Sequence, residues 1–357
     1  MAEDHTVTTF YVDGEHGLDT NDGRSDVNEG GGHGPKKTIG SAVDEIASDY
    51  MGGYEIFVRG LKDNGDPITY SEEHNGSGAV ICLPEVDTMM DGSPNRIIGY
   101  GRIFDDGIRP ILDCRAVLNN AVVGWSGLSN AAILKNFSIW NSVSLGANLN
   151  YDVRFYNCEF NNCGDGAIYA NWNCWVSRCR FRNCSGGMIV DMWGSTVTEC
   201  TFEDCVAVYN VAGADFVLHC VLVGNTAGMN AINVGQCAVG NTLIAPTRQI
   251  GKTAIAAGRL AAQNVIVGYD VGCQAPIVTG NLLQDAASLY LNTPEFFERN
   301  VLGPASMRDV SKGDYRLVPG TPGTTTGAFG APPGAAGVVD GGISSGLVYM
   351  GSNGRRR

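Results

Sequence analysis

Tyr151, Trp172 and Trp193 are evenly spaced, and Asp191 lies just before the last of them. If the backbone repeats with that period, the three rings fall into one column. Facing solvent, they would form a flat platform for the faces of sugar rings or for the apolar groups of a partner protein. Facing inward, they would be a core ladder. The column falls at a turn, where strand alternation does not decide the direction. Asp191, and Asp165 before it, are carboxylates with no opposite charge one repeat away, which leaves them the best-placed groups to move a proton. Arg355, Arg356 and Arg357 form a third candidate, a basic end suited to docking on an acidic neighbour. No catalytic residue, cofactor or metal ligand is assigned.

These residues need a scaffold, and the stretch around them supplies it by repeating itself. Cys158, Cys179 and Cys200 recur with the same period as the rings, as do Phe160, Phe181 and Phe202, and Cys163, Cys184 and Cys205. A period of about 21 residues indicates a solenoid. It is too short for a helix-turn-helix repeat, and Cys-x-Phe alternation between Asn- and Gly-containing turns describes short strands. Each coil must stack on the next at about 4.8 Å to bury its apolar edge. The fold class expected is therefore all-β, a single-stranded right-handed parallel β-helix with about 21 residues per coil, an N-terminal capping helix and an extended C-terminal arm.

Composition agrees with this and limits the partners. The 357 residues include 49 glycines for tight turns, and the net charge of −13 argues against a general nucleic-acid or anionic-membrane surface. Most of the twelve cysteines occupy ladder positions, where a small apolar thiol fills a stacked interior. Reduced, buried thiols are expected rather than disulfides, and the absence of paired Cys-x-x-Cys argues against zinc. No apolar run reaches the length of a membrane span, and Met1-Ala2-Glu3-Asp4-His5 lacks a basic region followed by an apolar one, so no secretory address is expected.

In chain order, residues 1–53 are expected to hold a strand, a loop and the capping helix, residues 54–318 the β-helix, and residues 319–357 a Pro/Gly-rich arm with its basic end. Val7 to Asp13 alternate as a strand. Asp13, Asp19, Asp22 and Asp26 cluster in and before the loop that follows, yet without the spacing of a calcium loop, so a solvated loop is expected. Ile39, Ala42, Val43, Ile46, Ala47 and Tyr50 make one apolar stripe, which predicts a helix over 38–50 covering the open end of the first coil. Residues 284–312 break the pattern, with 293–298 reading as a short helix start. Asp314 to Leu317 read as one more strand.

Three places carry a resemblance. They are Phe10-Tyr11-Val12-Asp13 with Gly34-Pro35-Lys36-Lys37-Thr38-Ile39 and Ala42; the Asn-Cys-x-Phe coils; and Asp314-Tyr315-Arg316-Leu317 with Gly320-Thr321-Pro322 and Gly327-Ala328-Phe329-Gly330. Together they cover about residues 7 to 330, and the chain resembles the pectin-lyase-like, right-handed parallel β-helix superfamily. The resemblance implies a fold far more than a function, since the superfamily holds lyases, hydrolases, esterases, phage tailspikes and structural proteins. Gly32-His33-Gly34 matches one of the motifs expected in polygalacturonase-like members, but it lies before the helix and the set does not occur in chain order. A lyase would need a calcium cluster and a basic residue to remove a proton beside a uronate carboxylate. The charges of the repeat instead pair one period apart: Glu159 with Arg180, Arg178 with Glu199, Arg182 with Glu203.

The expectation is accordingly a non-enzymatic structural or adhesive virion protein, a bacteriophage capsid decoration or tail-associated β-helix protein that docks through its arm. Its partners would be neighbouring virion subunits, a polysaccharide, and further copies of itself, with a trimer favoured; nucleic acid and membrane are not expected. It would fold in the host cytoplasm and reside on the virion. The alternative is a polysaccharide lyase or glycoside hydrolase acting on acidic glycans, which would be extracellular.

Overall fold

In the computed structural model, the structure describes residues 7–46, 53–83, 95–103, 106–116, 120–124, 132–303, 307–309 and 314–318. Short parallel strands wind through three walls. The first wall is a twelve-stranded parallel sheet, and the second and third run into one another as a twenty-stranded sheet. From Ala132–Lys135 to Phe296–Glu298 the first wall has nine strands, which bound eight turns. Arg154–Tyr156, Trp175–Ser177 and Thr196–Thr198 begin one period apart and lie in register, as the spacing predicts. The fold is an all-β parallel solenoid with almost no helix.

The lumen is a set of columns. Phe160, Phe181 and Phe202 are wholly buried and stack with ring centroids 5.1 and 4.5 Å apart, their planes 14° and 16° from parallel. Offset stacking of this kind adds roughly 1 kcal/mol per pair to the burial of each ring. Toward the C-terminal end the same column narrows to Leu222, Leu243, Ile266 and Leu283. The thiols of Cys158, Cys179, Cys200 and Cys220 line one corner, each directed at the carbonyl two residues before it; the Cys200 Sγ lies 3.2 Å from the Thr198 oxygen. Burial pushes the Cys158 and Cys200 thiols up, and Cys273 up to about 12, so these side chains stay protonated and unreactive at neutral pH.

Beyond Cys220 the same corner is taken over by buried asparagines. The Asn241 side chain accepts from the Cys220 N–H at 2.9 Å and donates to the Val217 carbonyl at 3.0 Å. Asn264 and Asn281 repeat the arrangement, and Asn300 ends it. An amide in this position satisfies a backbone donor and a backbone acceptor that the turn leaves over, inside a core where an unpaired polar group costs about 1–3 kcal/mol. At other corners asparagines take up positive φ: Asn136, which is buried, and Asn157, Asn162 and Asn183 all lie between 50° and 61°. Asn157 donates to the Asn136 side chain at 2.8 Å, bonding along the stack.

Several expectations are corrected. The helix runs only over Ile39–Asp44, with the Thr38 side chain accepting from Ser41 N at its start. Ala47 and Tyr50 lie outside the described residues. The helix follows Thr8–Val12, which pairs with Tyr54–Arg59, and packs on Ala79–Leu83. Phe296–Glu298 is a strand, held in register with Ile277–Thr279. Arg178 and Arg182 do pair with Glu199 and Glu203, at 2.7 and 2.9 Å. Glu159, however, is taken by Arg109 at 3.2 Å, and Arg180 reaches Glu203 at 2.8 Å instead. Among the described residues no helix is long and apolar enough to cross a membrane.

Candidate functional site

The corner between the third and first walls brings the aromatic residues together. Strands Ile168–Trp172 and Ser185–Trp193 pair as Tyr169↔Asp191 and Ala170↔Met192, then shift by one residue so that Trp172 faces Trp193. Asn171 is the extra residue. Its side chain donates to the Asn150 side chain at 3.0 Å and its N–H to the Asn150 carbonyl at 2.8 Å. The shift places Trp172 and Trp193 on the outside, 55% and 54% exposed.

Tyr151 lies one coil back in the same column and is half-buried; the next residue, Asp152, donates its N–H to the Trp172 carbonyl at 3.2 Å. Gly194 follows Trp193 at φ 58°, and a Cβ there would stand 2.5 Å from Cε3 of Trp172. The indole of Trp172 therefore lies against bare backbone, which fixes its height above the wall.

Trp175 widens the site, and sequence reasoning missed it. It is the first outward residue of its strand in the first wall, 48% exposed, between buried Cys174 and Val176, in register with Arg154 on one side and Thr196 on the other. The alternation in Cys174-Trp175-Val176-Ser177 was the available signal. Three half-exposed indoles thus stand within two coils of one corner of the solenoid.

Asp191 borders this corner beside Tyr169 of the preceding coil. It is half-buried, burial raises its pKa, and among the described residues its carboxylate has no hydrogen-bond or ion-pair partner. Asp165 is not brought to the same place. It is an exposed turn residue beside Gly186, five residues before Asp191, which is about 16 Å along a strand.

The other candidates are absorbed by structure. Asp13 pairs with Arg59 at 2.7 Å, and Asp19 accepts from the Lys37 and Thr38 N–H groups. Asp22 binds Arg24 N and the His33 ring, which hold its carboxyl at about 2 and raise His33 in turn. Gly32-His33-Gly34 thus belongs to a loop and not to a wall. Glu15, His16 and Asp63 present donor atoms within 4.8 Å of one another and could hold a cation, but all three are exposed, and Arg59 already neutralises Asp63 at 2.6 Å. Asp26 lines an adjoining polar hollow of about 420 Å³ with Arg59, Asp63, Tyr100 and Arg102. Arg355, Arg356 and Arg357 lie outside the described residues.

The chain matches no known protein-family model, and a search of curated proteins finds no match.

Proposed function

We propose that the chain is a non-enzymatic structural and adhesive rod of the pectin-lyase-like kind, carried on a virion as a bacteriophage capsid decoration or tail-associated protein, and that glycan rings dock on its aromatic corner. The observation that carries the adhesive reading is the outward, half-exposed pair Trp172 and Trp193, held one coil apart on paired strands. Successive coils repeat at about 4.8 Å, close to the thickness of a sugar ring, and flat indoles bind the apolar faces of such rings at little conformational cost. The virion reading is supported by the resemblance in the coils and by twelve free thiols, most of them buried, which suit folding in a reducing cytoplasm. The basic C-terminal end would meet an acidic neighbouring subunit, and the rod would work as a homo-oligomer, with three copies favoured.

The charge arrangement favours binding over bond cleavage. Glycoside hydrolysis commonly sets two carboxylates on either side of the scissile bond. On the regular coils Glu159, Glu199 and Glu203 are committed to arginines, and Asp152, beside Tyr151 in the aromatic column, accepts from the Asn173 side chain, whereas Asp191 has no hydrogen-bond or ion-pair partner among the described residues. One observation favours the second reading, a polysaccharide lyase or hydrolase: the raised pKa of Asp191, which suits a proton donor. The two are separated by incubating the protein, with and without calcium, with acidic and neutral polysaccharides and following unsaturated and reducing ends. Turnover lost in Asp191→Ala would make the chain an enzyme; binding without new ends supports the adhesive rod.

A further inference from the structure

The outer face of the first wall changes character along the rod. Toward the N-terminal side it carries Lys135 and Arg154. From Thr196 to Thr279 none of its outward positions is charged. Phe216, Leu218, Val239, Leu260, Ile277 and Phe296 stand on this face one coil after another, with Phe216, Ile277 and Phe296 exposed. A strip of this length without an outward charge, and apolar at most positions from Phe216 on, marks an interaction surface on a chain of net charge −13.

We infer that this face, from Trp175 to Phe296, docks a second copy of the same chain. Three features choose that occupant. Two copies carrying −13 each repel over most of their surfaces, and this strip is where they approach without opposed charges. Its rim carries charges of both signs that have no ion-pair partner among the described residues: Asp215, Arg259 and Glu295 directly precede the strands that begin at Phe216, Leu260 and Phe296. A partner of one sign satisfies only part of that rim, whereas a second copy brings both signs. The size also fits. Seven strands span about 29 Å, and with the rim about 20 Å wide the strip offers about 600 Å² per copy, or about 1,200 Å² for a pair, the lower edge of stable interfaces. The inference goes beyond glycan binding, because Trp172 and Trp193 lie on the third-wall side of the corner and only Trp175, at the edge of the face, is common to both surfaces.

Sedimentation equilibrium of the full chain over the micromolar range tests it. Association is expected, and Phe216→Glu and Ile277→Glu should each weaken it at least about tenfold while leaving circular dichroism unchanged. Should either fail to fold, Thr198→Arg places a charge on the same face without removing apolar surface. Ile277→Glu is also expected to leave glycan binding intact, so loss of association and loss of the corner's activity are read separately. A monomer at every concentration, or association indifferent to these substitutions, would overturn the inference.

Discussion

Trp172 and Trp193 are register partners on adjacent coils, and the Trp172 indole covers the backbone of Gly194, the residue that follows its partner. The relationship ties ring position to a main-chain detail. A platform held this way is set before any ligand arrives, which lowers the ordering cost of binding.

Replacing Gly194 should therefore disturb the ring more than the fold. Its φ of 58° disfavours a side chain, and the new Cβ would meet Trp172. Gly194→Ala is expected to cost about 1 kcal/mol and to shift tryptophan emission. Urea unfolding read by fluorescence and by circular dichroism measures both.

The asparagine column should be far less tolerant. Asn264 bonds Asn241, Asn281 and the Ala238 carbonyl in a core position without solvent access. Asn264→Leu leaves several buried groups unpaired and is expected to destabilise the C-terminal coils by about 3 kcal/mol or more. Hydrogen exchange should show the loss concentrated in residues 237–298, with the phenylalanine coils still protected.

Asp191 gives a pH dependence of defined sign. Burial raises its folded pKa above the ordinary carboxylate value, so between the two values the folded state binds more protons than the unfolded. Stability contributed at this site then falls as pH rises through that window and is lowest above it. Asp191→Asn should stabilise the protein at neutral pH and make no difference well below the ordinary carboxylate range. Melting temperatures at the two pH values check the prediction.

Much of this architecture is legible in the residues. Phe160, Phe181 and Phe202 announce their stack because like side chains recur at one spacing. The asparagine column is legible only as far as Asn241 and Asn264, which continue the spacing of Cys200 and Cys220; the steps from Asn264 to Asn281 and Asn300 are 17 and 19, as the coils change length. Phe296 and Phe297 suggest a helix start locally, but the in-register edge of Ile277–Thr279 makes them a strand. The direction of Trp172 depends on the extra residue at Asn171, which breaks the alternation from which direction is normally read. Trp175 obeys that alternation and was open to prediction.

The most direct measurement is glycan binding by the intact chain and by Trp172→Ala, using isothermal titration against oligosaccharides of increasing length. The native chain should bind more tightly as the oligosaccharide grows to span Trp172 and Trp193, and Trp172→Ala should lose at least about tenfold in affinity, with its melting unchanged within about 0.5 kcal/mol. Equal binding by both proteins, or no binding at any length, would contradict the adhesive corner.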